Sequence, residues 1–120
     1  MQEYRGTVIR GEGSGRRLGF PTANIVLTDS GLSGIYAGEA EVDGKTYAAA
    51  LYANTRRGIL EAHIIDFSGD LYDQTLFIRI LKKVRDDLPF EAFADEAALR
   101  RAIGKDVEEV RAYFGPEGGR

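Results

Sequence analysis

Between Gly11 and Asn24 the chain reads Gly-Glu-Gly-Ser-Gly-Arg-Arg-Leu-Gly-Phe-Pro-Thr-Ala-Asn, residue types that could bind and move phosphate. Glycines at 11, 13, 15 and 19 admit positive φ and leave their backbone amides uncovered, so successive N–H groups can converge on an anion. Arg16 and Arg17 place fixed charge beside them. Pro21 stiffens the chain, and an extended Thr22-Ala23-Asn24 sets the Thr and Asn oxygens two residues apart, on one face of a strand. Two neutral oxygen donors beside a phosphate cradle suit a phosphate-bound Mg²⁺. The spacing is neither that of a Walker A loop nor that of a dinucleotide fingerprint. On residue types alone two readings stay open: an anion site in a β framework, or a surface loop of the glycine-rich kind.

The elements that must position this stretch are mostly strands. Tyr4 to Arg10 leads into it with β-branched and polar residues in partial alternation, and Ala23 to Leu27 leads out of it. Thr28 to Gly31 reads as a turn. From Gly34 to Val42 small and apolar residues alternate with Glu39 and Glu41, with Tyr36, Gly38, Ala40 and Val42 on the face expected to meet the core. Asp43-Gly44 is a two-residue hairpin signal into Lys45 to Tyr52. Ile59 to Phe67 and Leu76 to Val84 are two more apolar strands, joined through Ser68-Gly69-Asp70. Strands that follow one another without helices between them favour an antiparallel barrel or sandwich. The last part is helical: Asp95 caps one expected helix, Asp106 with Glu109 resembles a capping box for a second, Gly104 separates the two, and Gly115-Pro116 stops the last.

Composition sets outer limits. A length of 120 residues fits one domain able to bury its own core. There is no cysteine, hence no disulfide, thiolate metal site or Cys nucleophile. A net charge of -3 argues against a general affinity for nucleic acid. No apolar run reaches the length of a membrane span and the first residues lack an apolar signal core, so a cytoplasmic location is expected.

The opening Val8-Ile9-Arg10-Gly11, then Gly15-Arg16-Arg17-Leu18-Gly19-Phe20-Pro21-Thr22-Ala23-Asn24-Ile25, resembles the start of the riboflavin kinase domain, which also forms the second half of bacterial FAD synthetases. Pro-Thr-Ala-Asn is a specific mark of that family. Further matches follow in order: Gly34 to Gly38, Leu60 to Phe67, Asp70-Leu71-Tyr72, Arg85-Asp86 with Phe90, and Asp106. The departure is at 53–59, where the chain is shorter than the family pattern and lacks its Pro-Thr.

The resemblance implies a mainly β fold, a six-stranded antiparallel Greek-key β-barrel with C-terminal helices, over residues 1–115, with 116–120 expected to be a disordered tail. It implies transfer of the γ-phosphate of ATP to riboflavin, giving FMN, with Mg²⁺ or another divalent cation. In that reading Glu61 is the base; taken alone, a Glu between apolar strand residues reads as a solvent-facing position. Thr22 and Asn24 would hold the metal, Gly13, Ser14, Gly15, Arg16 and Gly19 the nucleotide, and Arg85, Asp86 and Phe90 the flavin. His63 is set aside as a packing or hydrogen-bonding residue. The partners expected are riboflavin and ATP, with no nucleic acid, no membrane, and a state compatible with a monomer. The chain contains no match to an adenylyltransferase half, so it is expected to stop at FMN. The rival reading is a non-catalytic flavin- or nucleotide-binding barrel.

Overall fold

A computed structural model of the chain describes residues 2–10, 19–28, 31–87 and 92–115. Its strands are β1 (Gln2–Thr7), β2 (Ala23–Val26), β3 (Gly34–Val42), β4 (Lys45–Asn54), β5 (Ile59–Ile64) and β6 (Thr75–Arg85), followed by one helix, α1 (Glu96–Phe114). The spatial order is β1-β6-β3-β4-β5-β2, and every pairing is antiparallel. β3, β4 and β5 form a meander, and β6 returns beside β3, which is the Greek-key order. The sheet then nearly closes on itself. β1 stops at Thr7, short of the expected Arg10, and the Ile9 amide donates to the Asn24 carbonyl at 2.8 Å, joining the chain after β1 to β2.

Alternation decides which side chains fill the barrel. Ile25, Tyr36, Ala40, Val42, Leu51, Leu60, Ala62, Leu76, Ile78 and Ile80 are all buried in one cluster. Asp43 and Gly44 both have positive φ, 49° and 79°, the conformation a tight two-residue hairpin requires, and Val42 accordingly pairs with Lys45. Gly38 is required for a different reason. A Cβ there would collide with the Arg79 carbonyl of β6 and the Leu51 side chain, so the residue lets β3 pass close to both.

Two helices were expected over this stretch and the described residues form one, a correction with a physical cause. Gly104 lies inside α1, where an added Cβ would be in ordinary contact with the Phe20 ring at 3.6 Å. The helix runs through it despite the roughly 1 kcal/mol that an interior glycine costs, with Asp106 drawn into a bond to Arg85 instead of opening a new helix. Asp106 is no cap; it is 6% exposed and faces β6. Asp95 does cap, its side chain accepting from the Ala98 amide at 2.8 Å, and Gly115 ends the helix with φ 77°. The helix lies on the outside of the barrel, where Val110 packs with Ala37, Ala48 and Ile65, and Val107 adds to the cluster. Alanine at 48 and 50 on the outer face of β4 lets it approach closely.

The loop residues Gly13, Ser14, Gly15 and Arg16, the turn residues 29–30, Phe90 and the tail 116–120 lie outside the described residues. Among the described residues no helix is long and apolar enough to cross a membrane.

Candidate functional site

Strand register gathers the sequence candidates into a row on the outer face of the barrel. Asn24 of β2 lies opposite Glu61 of β5, Glu61 opposite Tyr52 of β4, Tyr52 opposite Ile35 of β3, and Ile35 opposite Arg85 of β6. Directly opposed residues share a face, with Cβ atoms about 5 Å apart. Their neighbours Leu51, Leu60 and Ile25 point the other way, into the core. With strands spaced at about 4.8 Å, the row from Glu61 to Arg85 extends roughly 14 Å.

At one end sit the oxygens. The Thr22 hydroxyl donates to Asn24 Oδ1 at 3.2 Å, so the two side chains converge as the Thr-Ala-Asn spacing requires. Asn24 is only 5% exposed, although it is polar and on the outer face. Pro21, just before them, is held by His63. The His63 Nδ1 lies 2.9 Å from the Pro21 carbonyl, and since a carbonyl only accepts, that nitrogen carries the proton. The Phe20 ring meets the His63 ring edge-on at 5.5 Å. His63 therefore braces the chain that carries Thr22, the packing and hydrogen-bonding part anticipated for it.

Glu61 is half-buried in the middle of the row and accepts from Asn54 Nδ2 at 3.1 Å. Tyr52, beside it, donates its hydroxyl to Asp87 Oδ2 at 2.9 Å. Burial, followed by that hydrogen bond, raises the Tyr52 phenol above its ordinary pKa, so it stays a neutral donor.

At the far end Arg85 forms a two-pronged pair with Asp106 of α1, Nε to Oδ1 at 2.9 Å and Nη2 to Oδ2 at 2.8 Å, while Nη1 donates to the Asp86 carbonyl at 3.1 Å. The bond to Asp106 lifts the guanidinium further above its already high pKa. The Asp86 carboxylate pairs with Lys83 at 2.7 Å, which holds its pKa below the usual range. Arg85 and Asp86 are thus placed beside the row with their charges already engaged.

On the other side of Thr22, at the mouth of the barrel, lies a cavity of about 250 Å³ bounded by Val8, Pro21, Thr22, Ala62, Leu71 and Tyr72 among others. Asp70 shapes its wall by accepting from the Tyr72 amide at 2.8 Å, and the Arg10 guanidinium lies 4.3 Å from the centre of the Tyr72 ring. Gly19 has φ 93°, and among the described residues no atom lies within 4 Å of an added Cβ.

The structure brings Thr22, Asn24 and Glu61 together, with Arg85 and Asp86 at the end of the same row. Sequence reasoning missed Asn54, the Tyr52–Asp87 bond and the His63–Pro21 brace. Parity could have placed Asn54 on the Tyr52 face, but its contact with Glu61 depends on a pairing between strands that local pattern does not specify.

Comparison with known proteins bears on the family and the fold. The family model Flavokinase, described as riboflavin kinase, matches residues 2–114. A bifunctional riboflavin kinase/FMN adenylyltransferase from Pseudomonas fluorescens is 34% identical over 120 residues, covering 92% of this chain and 38% of that protein. The chain therefore spans less than two fifths of that relative. Among solved structures, a chain described as a macrolide-efflux protein from Streptococcus pneumoniae superposes with a TM-score of 0.76 at 30% identity, over 91% of this chain and 38% of the other. The riboflavin kinase from Trypanosoma brucei superposes at 0.65 with 24% identity over 96% and 80%, a likeness of fold.

Proposed function

The chain belongs to the riboflavin kinase family, and on that premise we propose that it transfers the γ-phosphate of ATP to the ribityl 5′-hydroxyl of riboflavin, giving FMN and ADP. The observation that carries the reading is the register that sets Asn24 opposite Glu61. Phosphoryl transfer needs the acceptor's base and the groups that neutralise phosphate charge within a few ångströms of one site, and this pairing supplies that.

In this reading riboflavin lies along the row, its ribityl end at Glu61 and its ring toward Tyr52, Ile35 and Arg85. Glu61 accepts the hydroxyl proton as the oxygen attacks the γ-phosphorus; the bond to the β–γ bridging oxygen breaks and ADP leaves. The nucleotide base enters the barrel-mouth cavity, where Leu71 and the Tyr72 ring offer apolar walls and Thr22 forms the border with the row. The phosphates then cross between cavity and row, past Thr22 and Asn24, with Gly13, Ser14, Gly15 and Arg16 as the residues that would hold them.

The donor set at Thr22 and Asn24 fits a hard cation shared with a nucleotide. Both groups are neutral oxygens, they converge within 3.2 Å, and the pair leaves most positions for phosphate and water. A phosphate-bound Mg²⁺ there would supply charge neutralisation. Thr22→Ala and Asn24→Ala should each weaken Mg²⁺-nucleotide binding and turnover together, because each removes one oxygen. Unchanged Mg²⁺ dependence in both variants would reduce the pair to a strand edge. Folding free energy should change by about 1 kcal/mol in either variant, since no apolar core is lost.

The enzyme reading is separated from a non-catalytic binding barrel by incubating the chain with riboflavin, Mg²⁺ and each nucleoside triphosphate and looking for FMN. Glu61 favours the enzyme, because a carboxylate placed beside an uncharged alcohol serves proton transfer better than binding. Neither nucleic acid nor a membrane is needed for this chemistry, and a cytoplasmic setting with ATP and riboflavin suits it.

A further inference from the structure

The 55–58 turn between β4 and β5 is short, and Asn54 stands at its entrance. Asn54 is 6% exposed and uses both ends of its amide: Oδ1 accepts from the Arg57 amide at 3.3 Å, and Nδ2 donates to Glu61 Oε2 at 3.1 Å. An asparagine amide can be turned end for end, so its orientation needs a cause. Here a backbone N–H, which only donates, fixes Oδ1 toward the turn and so aims the NH₂ at the carboxylate. The turn itself is tied to β2, since the Leu27 amide donates to the Gly58 carbonyl at 2.8 Å.

From this chain of contacts we infer that Asn54 is a positioning residue for Glu61: the compact turn locks the Asn54 amide, and the amide holds one carboxylate oxygen so that Glu61 meets the acceptor hydroxyl in a set orientation. The inference rests on Glu61 being the base. It deepens that reading by giving the short turn a catalytic purpose as well as a connecting one.

Of the described residues, Asn24 on β2 and Tyr52 on β4 lie directly opposite Glu61, and His63 is two residues along β5.

Asn54→Asp tests the idea, because it separates the two bonds. Asp keeps the size and the oxygen that accepts from Arg57, and Asp is as good a turn residue as Asn. It loses the donor and sets a second carboxylate against Glu61. We expect kcat to fall by about tenfold or more, because the carboxylate of Glu61 is no longer held by a donor and is pushed from its place by a like charge. Both KM values should remain close to those of the unaltered chain, whereas thermal stability should fall, because a carboxylate at a 6% exposed position is set against Glu61.

If the bond from Asn54 did not position Glu61, its loss would leave turnover nearly unchanged, and a kcat within threefold of the unaltered chain would overturn the inference. The Glu61→Gln chain distinguishes this failure from failure of the base reading. In that background Asn54→Asp should have no further effect on kcat, and an additional tenfold loss there would also overturn the inference. A near-normal rate for Glu61→Gln alone would overturn both readings, whereas a slow Glu61→Gln with a normal Asn54→Asp would overturn the role of Asn54 only.

Discussion

Replacing Glu61 by Gln is expected to lower kcat by roughly 10²–10⁴ while leaving riboflavin affinity intact. The amide matches the carboxylate in size, and its oxygen can still accept from Asn54 Nδ2, so the local bond at 3.1 Å survives. What it cannot do is take up the hydroxyl proton. A solvent-facing strand Glu without a chemical part predicts the opposite, a rate within threefold of wild type and stability within about 0.5 kcal/mol. Were that found, His63 would be the next residue to replace, although its Nδ1 already serves the Pro21 carbonyl.

Asp106→Ala should be the more damaging change to the fold. Asp106 is 6% exposed and takes both prongs of the Arg85 guanidinium, which ties α1 to the end of β6. Removing the carboxylate strands a positive charge against the helix. Fully buried pairs broken in this way cost 3–5 kcal/mol, but the Arg85 side chain is 28% exposed, so a loss of about 2–3 kcal/mol is expected. For a domain of this size that lowers Tm by roughly 8–15 °C. Because Arg85 leads directly to Asp87, the partner of Tyr52, the KM for riboflavin should rise more than that for ATP. The double change Arg85→Met with Asp106→Leu should recover most of the stability, since apolar side chains fill the place of a buried pair without a stranded charge. An Asp106→Ala chain within about 0.5 kcal/mol of wild type would show the pair to be no stronger than a surface one.

The strands were legible because alternation is local: the Tyr36, Ala40, Val42 face and the Asp43-Gly44 turn can be read from a few neighbours, and both are as expected. The helical region was not. Gly104 and Asp106 carry the marks of a break and a cap, but the partner of Asp106, Arg85, lies outside the local pattern, and in the structure Asp106 bonds to it from within a single helix. The candidate site divides along the same line. Thr22, Asn24 and Glu61 were named from motifs, whereas the row that aligns them with Tyr52, Ile35 and Arg85 arises from four strand pairings that no single segment encodes. Asn54 looked like the end of a pattern. Its amide acquires a purpose only when the turn folds back and presents both Arg57 and Glu61.

Label transfer tests the central claim most directly. The chain is incubated with riboflavin, Mg²⁺ and ATP labelled at the γ-phosphorus, and the flavins are separated and counted. Phosphoryl transfer predicts label in FMN, one phosphate per flavin, formed in step with ADP and abolished when the divalent cation is chelated. Binding of both riboflavin and ATP with no labelled FMN would contradict it and leave a barrel that holds its ligands without joining them.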